Sequence, residues 1–143
     1  MDKEKYFINK VYELCEKTRI KKPHVISRDN RMGQYIAGVT FCSQGYEMIY
    51  NMKRMKYTTK NLIIMIILHE LGHIKKGEGK DKIETEYIAQ KFAMNSIKKY
   101  YPKKYIPILK FIYKHYTNHH NKIYKQSFGK LAKELLGEYK RRK

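Results

Sequence analysis

The stretch Leu62–Leu68 is apolar without a break and runs straight into His69-Glu70-Leu71-Gly72-His73. Seven apolar residues fall far short of the ~20 that span a bilayer, so the run reads as a core helix. Thr58 or Thr59 offers an N-cap, and Gly77 suits the position after the last turn. Lys75 and Lys76 sit favourably at the negative end of the dipole. The spacing therefore predicts a helix ending at Lys76. Ile64, Met65, Ile66 and Leu68 cover all of its sides, which places it centrally and buried.

Within that helix His69 and His73 lie one turn apart on one face. Two imidazoles so arranged can hold one Zn²⁺ at about 2.0–2.1 Å. Glu70 points about 100° away from His69, so it misses the metal and can reach a water on it. This is the His-Glu-x-x-His arrangement of zinc peptidases. The same residues also fit a buried helix end with two satisfied histidines and a surface glutamate. A third ligand separates the two readings.

Two acids compete for that role. Asp81-Lys82-Ile83-Glu84 reads as a capping box, with Asp81 as N-cap and Glu84 as its N3 partner. The helix it opens extends to Tyr100 or Tyr101, before Pro102. Glu86 shares its face with Ile83, Ala89, Gln90, Ala93 and Ile97, the apolar stripe, whose alanines permit close approach to the histidine helix. Glu84 lies about 160° away, near Lys91 and solvent. A carboxylate on a buried stripe is costly unless paired or metal-bound. His69, His73 and Glu86 then make a His₂Glu set, with the fourth position left for water. The competing reading pairs Glu86 with one of the many lysines.

Around this centre the sequence predicts an α+β fold. Residues 3–19 form an amphipathic helix with Phe7, Val11, Leu14 and Cys15 inward, stopped by Lys21-Lys22-Pro23. Three strands follow, His24–Arg28, Gln34–Cys42 and Tyr46–Asn51, joined by turns at Asp29–Gly33 and Ser43-Gln44-Gly45. They read as an antiparallel meander, with Gly38 marking a bulge or a close approach. Pro107 is expected to open a helix through about Asn118. A last helix spans about Lys122 to Tyr139, with Phe128, Leu131, Ala132, Leu135 and Leu136 on one stripe, before a frayed tail. No linker divides the chain, so residues 1–143 read as one domain, a core of 1–101 with a basic helical extension of 102–143.

The charge is lopsided, 32 Lys+Arg against 13 Asp+Glu, a formal net of +19. Either a solvated basic surface or contact with nucleic acid or an acidic partner accounts for it. Two cysteines, Cys15 and Cys42, make neither a disulfide framework nor a C-x-x-C site. With no apolar segment after the N-terminus and none able to span a membrane, a cytoplasmic protein is expected.

Leu68-His69-Glu70-Leu71-Gly72-His73, followed by Glu86-Tyr87-Ile88-Ala89-Gln90-Lys91-Phe92-Ala93, resembles the ImmA/IrrE family of zinc metallopeptidases and the minimal gluzincins generally. Ile49-Tyr50-Asn51 is similar to the strand end that precedes the family's active helix. The likeness covers roughly residues 5 to 100. It implies Zn²⁺ held by His69, His73 and Glu86, Glu70 as catalytic base, and hydrolysis of a protein or peptide, such as a DNA-bound repressor. The family's Asn or Asp that steadies a ligand is Gln90 here. Such sites also use a Tyr, His or Arg on the oxyanion, and Tyr113, His115, Tyr116 and His119 are candidates. His115 and His119, spaced i and i+4, could instead hold a second metal, or be ordinary helix and loop residues. Gly77 and Gly79 fall where a metzincin's third ligand motif needs other residues. A non-catalytic metal-containing module working through its basic surface is the alternative. A SprT-like protease ranks lower, because no His follows at a suitable position before His115.

Overall fold

The computed structural model describes residues 2–28, 36–43 and 45–142. The expected turn at Asp29–Gly33, the strand start at Gln34 and the turn residue Gln44 lie outside them. Helix α1 (Lys3–Thr18) buries Phe7, Val11, Leu14 and Cys15 and starts at Asp2, whose side chain accepts from Glu4 N–H. It stops a turn ahead of Pro23. Arg19 turns left-handed at φ 57°, and the N–H groups of Arg19 and Ile20 bond back to Cys15 C=O. Proline 23 therefore follows the stop rather than making it.

The strands are β1 (His24–Ser27), β2 (Ala37–Cys42) and β3 (Gly45–Tyr50), in the spatial order β1-β3-β2. The sheet is mixed, not an antiparallel meander. β2 pairs antiparallel with β3, but β1 pairs parallel with it. Burial accounts for the order of the strands. Met48, Ile49 and Tyr50 make β3 the most buried strand, and it takes the centre, covered on both edges. The β2–β3 ladder runs unbroken from Ala37↔Tyr50 to Cys42↔Gly45, so Gly38 marks no bulge. Gly45, at φ 116°, closes that hairpin with a backbone conformation few other residues adopt.

A short helix α2 (Met52–Met55), capped by the Asn51 side chain, leads to the central helix α3 (Lys60–Lys76). Thr59 caps α3 by accepting from Leu62 N–H, and Gly77 ends it. Helix α4 (Lys82–Tyr100) is capped by Asp81, which accepts from Glu84 N–H. Glu84 reaches back to Lys80 N–H, one residue earlier than a capping box requires.

Helix α5 runs over Pro102–Tyr116, so Pro102 opens it and Pro107 lies inside. Pro102 at the first position loses no helical bond. Pro107 forfeits only the bond to Lys103 C=O, and both residues are exposed, so water can satisfy that carbonyl. The last helical stretch comprises α6 (Lys122–Tyr124), a π-helical turn over Lys125–Gly129 and α7 (Lys130–Arg141). Helical order reaches Arg141, beyond the expected frayed end. Its stripe is inward as expected, with Phe128, Leu131, Ala132 and Leu136 buried and Leu135 partly so. One hydrophobic cluster runs from Phe7 through Leu68 to Leu136, so the C-terminal helices share the core of the rest.

Candidate metal centre

Helices α3 and α4 together build the centre. Their contact is close because Gly72 faces Ala89. A Cβ on Gly72 would stand 2.7 Å from Ala89 O and 3.0 Å from Ala89 Cα. That approach brings Glu86, one turn before Ala89, against the histidines. Glu86 Oε1 lies 3.2 Å from His69 Nε2, and Oε2 lies 3.1 Å from His73 Nε2. One carboxylate thus spans both imidazoles, whose ring centroids are 4.8 Å apart. Helical phase had put Glu86 on this face, and Glu84 does cap the loop instead.

The surroundings define the protonation of His69. Buried Gln90 presents Oε1 to His69 Nδ1 at 2.8 Å, while its amide nitrogen meets Met65 Sδ at 3.2 Å. His69 Nδ1–H therefore donates to Gln90, and its Nε2 faces Glu86. With a carboxylate there, Nε2 also carries a proton, and a metal ion would compete with that proton for the same atom. Burial alone would lower the His69 pKa, but the Glu86 hydrogen bond and the charges of Glu70 and Glu86 leave it raised. Glu86 is partly buried, which opposes its charge, yet hydrogen bonds from both imidazoles hold it well below the usual carboxylate range. Burial pushes Glu70 up, against the pull of the two histidines. His69, Glu70 and His73 each offer a ligand atom within 4.8 Å of the others, a group that could hold a metal ion.

These shifts give a pH dependence for protein stripped of metal. Glu86, lowered from 4.5, contributes stability above that value and loses it as pH falls. His69, raised from 6.5, contributes below that value and loses it as pH rises through its folded pKa. Glu70, raised from 4.5, loses stability as pH rises above that value, which draws the optimum toward the acid end of the window. Thermal unfolding of chelator-treated protein should peak between roughly pH 4.5 and 6.5. Metal-loaded protein should draw further ahead as pH rises, since the ligands must shed protons. A metal-free optimum above pH 7 would contradict the pairing.

The centre opens into a cleft of about 1060 Å³. Its lining includes residues 36–39 and Phe41 from the β2 side and Tyr116, His119, His120, Tyr124 and Phe128 from the C-terminal region. The C-terminal helices thus complete the site. Phe128, in the π-helical turn, sets its ring edge-on to His69 at 5.0 Å. Among the four aromatic candidates, Tyr116 and His119 line the cleft. Tyr113 and His115 do not. Tyr113 is 39 % exposed, and exposed His115 stacks on Phe111. Helix α5 ends at Tyr116, so His115 and His119 do not share a helical face. His119 instead stacks on Tyr116 and His120 and accepts from Asn121 N–H. Away from this centre, no group of three or more His, Cys, Asp or Glu among the described residues has metal-binding spacing. Tyr124 and Phe128 escaped sequence reasoning because a spacing of four reads as ordinary core. No local signal carries the π-helical turn that stacks them at 5.6 Å.

No family model, curated protein or solved structure matches this chain. Among the described residues no helix is long and apolar enough to cross a membrane.

Proposed function

We propose that the chain is a zinc-dependent endopeptidase of the ImmA/IrrE type, with His69, His73 and Glu86 as ligands and Glu70 as general base. The observation that carries this reading is the Glu86 carboxylate set against both Nε2 atoms. Tetrahedral zinc with bonds of about 2.0–2.1 Å needs ligand atoms about 3.3–3.4 Å apart. Glu86 Oε1 at 3.2 Å from His69 Nε2 and Oε2 at 3.1 Å from His73 Nε2 put the carboxylate within reach of an ion held by both nitrogens. Two nitrogens and one carboxylate also suit zinc in its catalytic ligand sets. Glu70 belongs to the same close group, but Glu86 is the carboxylate that touches both imidazoles.

Zinc bound there would acidify a water and polarise the scissile carbonyl. Glu70 accepts the water's proton and later returns it to the leaving amine. Gln90 holds His69 Nδ1–H and so keeps Nε2 turned to the centre. Tyr116 and His119 also line the cleft and are the remaining candidates to meet the oxyanion. β2 is an edge strand beside the cleft, so an extended polypeptide can add to it as a further strand. A DNA-bound repressor is the substrate class that the family likeness suggests, met in the cytoplasm.

Metal analysis tests the ligand set. Wild-type protein should carry about one zinc per chain. Glu86→Ala should lose it, and Glu84→Ala should keep it at a stability cost of about 0.5–1 kcal/mol from the lost loop bond. Metal retained in Glu86→Ala but lost in Glu84→Ala would reverse the assignment. Hydrolysis of peptide substrates should stop with chelator and return with Zn²⁺. Stoichiometric zinc with no cleavage of any captured partner would favour the non-catalytic module.

A further inference from the structure

Residues 87–133 contain eleven lysines and not one Asp or Glu. Helix α5 lies in the middle of this acid-free stretch. On its helical wheel Lys103, Lys110 and Lys114 fall within about 40° of one another, with Pro107 in the gap. Tyr105, Ile108, Leu109 and Ile112 are buried on the opposite side. All three lysines are exposed, and among the described residues none of them forms a salt bridge. Exposed Tyr113 flanks the stripe, and the loop and helix beyond add exposed Asn118, His120, Lys122, Lys125 and Gln126.

We infer that the outer face of α5, continued by the loop into α6, is a binding face for a nucleic-acid backbone. The stripe from Lys103 to Lys114 is about 16 Å long at 1.5 Å per residue. One strand of a duplex carries a phosphate about every 3.4 Å, so a straight row of cations that long tracks several of them. Unpaired lysines interleaved with Tyr, Asn, His and Gln make the contacts that phosphates and sugars accept. An acidic protein would supply charge without the regular repeat. The face runs to the cleft, because His119, His120 and Asn121 belong both to the loop and to the cleft lining. A bound strand would therefore lie at the rim of the metal centre. The inference does not depend on hydrolysis, since it uses none of the residues of that centre.

The test is fluorescence anisotropy of the full chain with a labelled 20-base-pair duplex and a labelled RNA strand of random sequence, over a salt series. Lys103→Gln/Lys110→Gln/Lys114→Gln should weaken binding about tenfold or more at low salt and lower the salt slope by about 2–3. The triple Lys→Arg variant should restore both, which excludes a folding defect. Removing equal charge elsewhere, with Lys5→Gln/Lys21→Gln/Lys53→Gln, should leave binding within about twofold. Equal losses in both triple Gln variants would overturn the assignment, leaving only net charge. So would competition by poly-glutamate as strong as by nucleic acid, which would mark an acidic-protein surface. Absence of binding to either probe at low salt would overturn it too. Cleavage of a short peptide by the stripe variant should equal wild type, so a failed peptidase reading and a failed binding face remain distinct results.

Discussion

Glu70→Gln should keep its zinc and lose about 10²–10⁴-fold in kcat on any substrate that wild type cleaves, the range for removing a positioned general base. The substitution keeps size and hydrogen-bonding shape but removes the ability to take a proton. Glu70 is absent from the contacts that join Glu86 to the two imidazoles, so those contacts should survive. Metal content measured beside single-turnover cleavage separates the two effects. Loss of zinc together with activity would make Glu70 a ligand, consistent with its place in the close His69–Glu70–His73 group. Full activity would remove it from the reaction. A zinc-loaded, inactive variant should also hold its substrate long enough for capture, which would identify the partner directly.

Gly72→Ala should force α3 and α4 apart with a single methyl group. The added Cβ meets backbone atoms of Ala89 at 2.7 and 3.0 Å and Phe92 Cδ2 at 3.2 Å. Backbone cannot rotate away as a side-chain tip can, so α3 and α4 must separate. Overpacking of this kind costs about 1–3 kcal/mol, and the better helix propensity of Ala returns at most about 1. The larger effect falls on the metal. Glu86 rides on the same turn of α4 and would withdraw from both histidines, costing about 10–100-fold in zinc affinity, as when groups that orient ligands are disturbed. Gly77→Ala is the control. It has open space but φ 72°, so it should cost stability and leave affinity unchanged. Unfolding midpoints of metal-free proteins, compared with competitive zinc titration, resolve the two. Equal affinity in Gly72→Ala and wild type would show that the helix spacing does not set the centre.

What the sequence determined by itself is local in origin. A helix has a fixed period, so residues 69 to 73 specify the relation of the two histidines without knowledge of the rest of the chain. The same period separated Glu86 from Glu84, and the Asp81 cap follows from a hydrogen bond three residues long. The family likeness, not helical phase, pointed to Gln90 as a supporting group, and its side chain does reach His69.

The tertiary structure alone decided what depends on distant partners. β3 takes the sheet centre because it is the most buried strand, a competition that no single strand records, and β1 lies parallel along its other edge. Pro107 sits within α5 because Pro102 starts that helix and the lost bond faces water. The alanines on α4 hinted at close packing, but only the seat of Gly72 on Ala89 brings Glu86 to both histidines. The cleft wall of Tyr116, His119, Tyr124 and Phe128 arises where the C-terminal helices fold back over α3. Tyr113 and His115 have the same chemistry but lie outside the cleft. Chemistry and helical phase are written in neighbouring residues, whereas the meeting of elements is set by burial of the whole core.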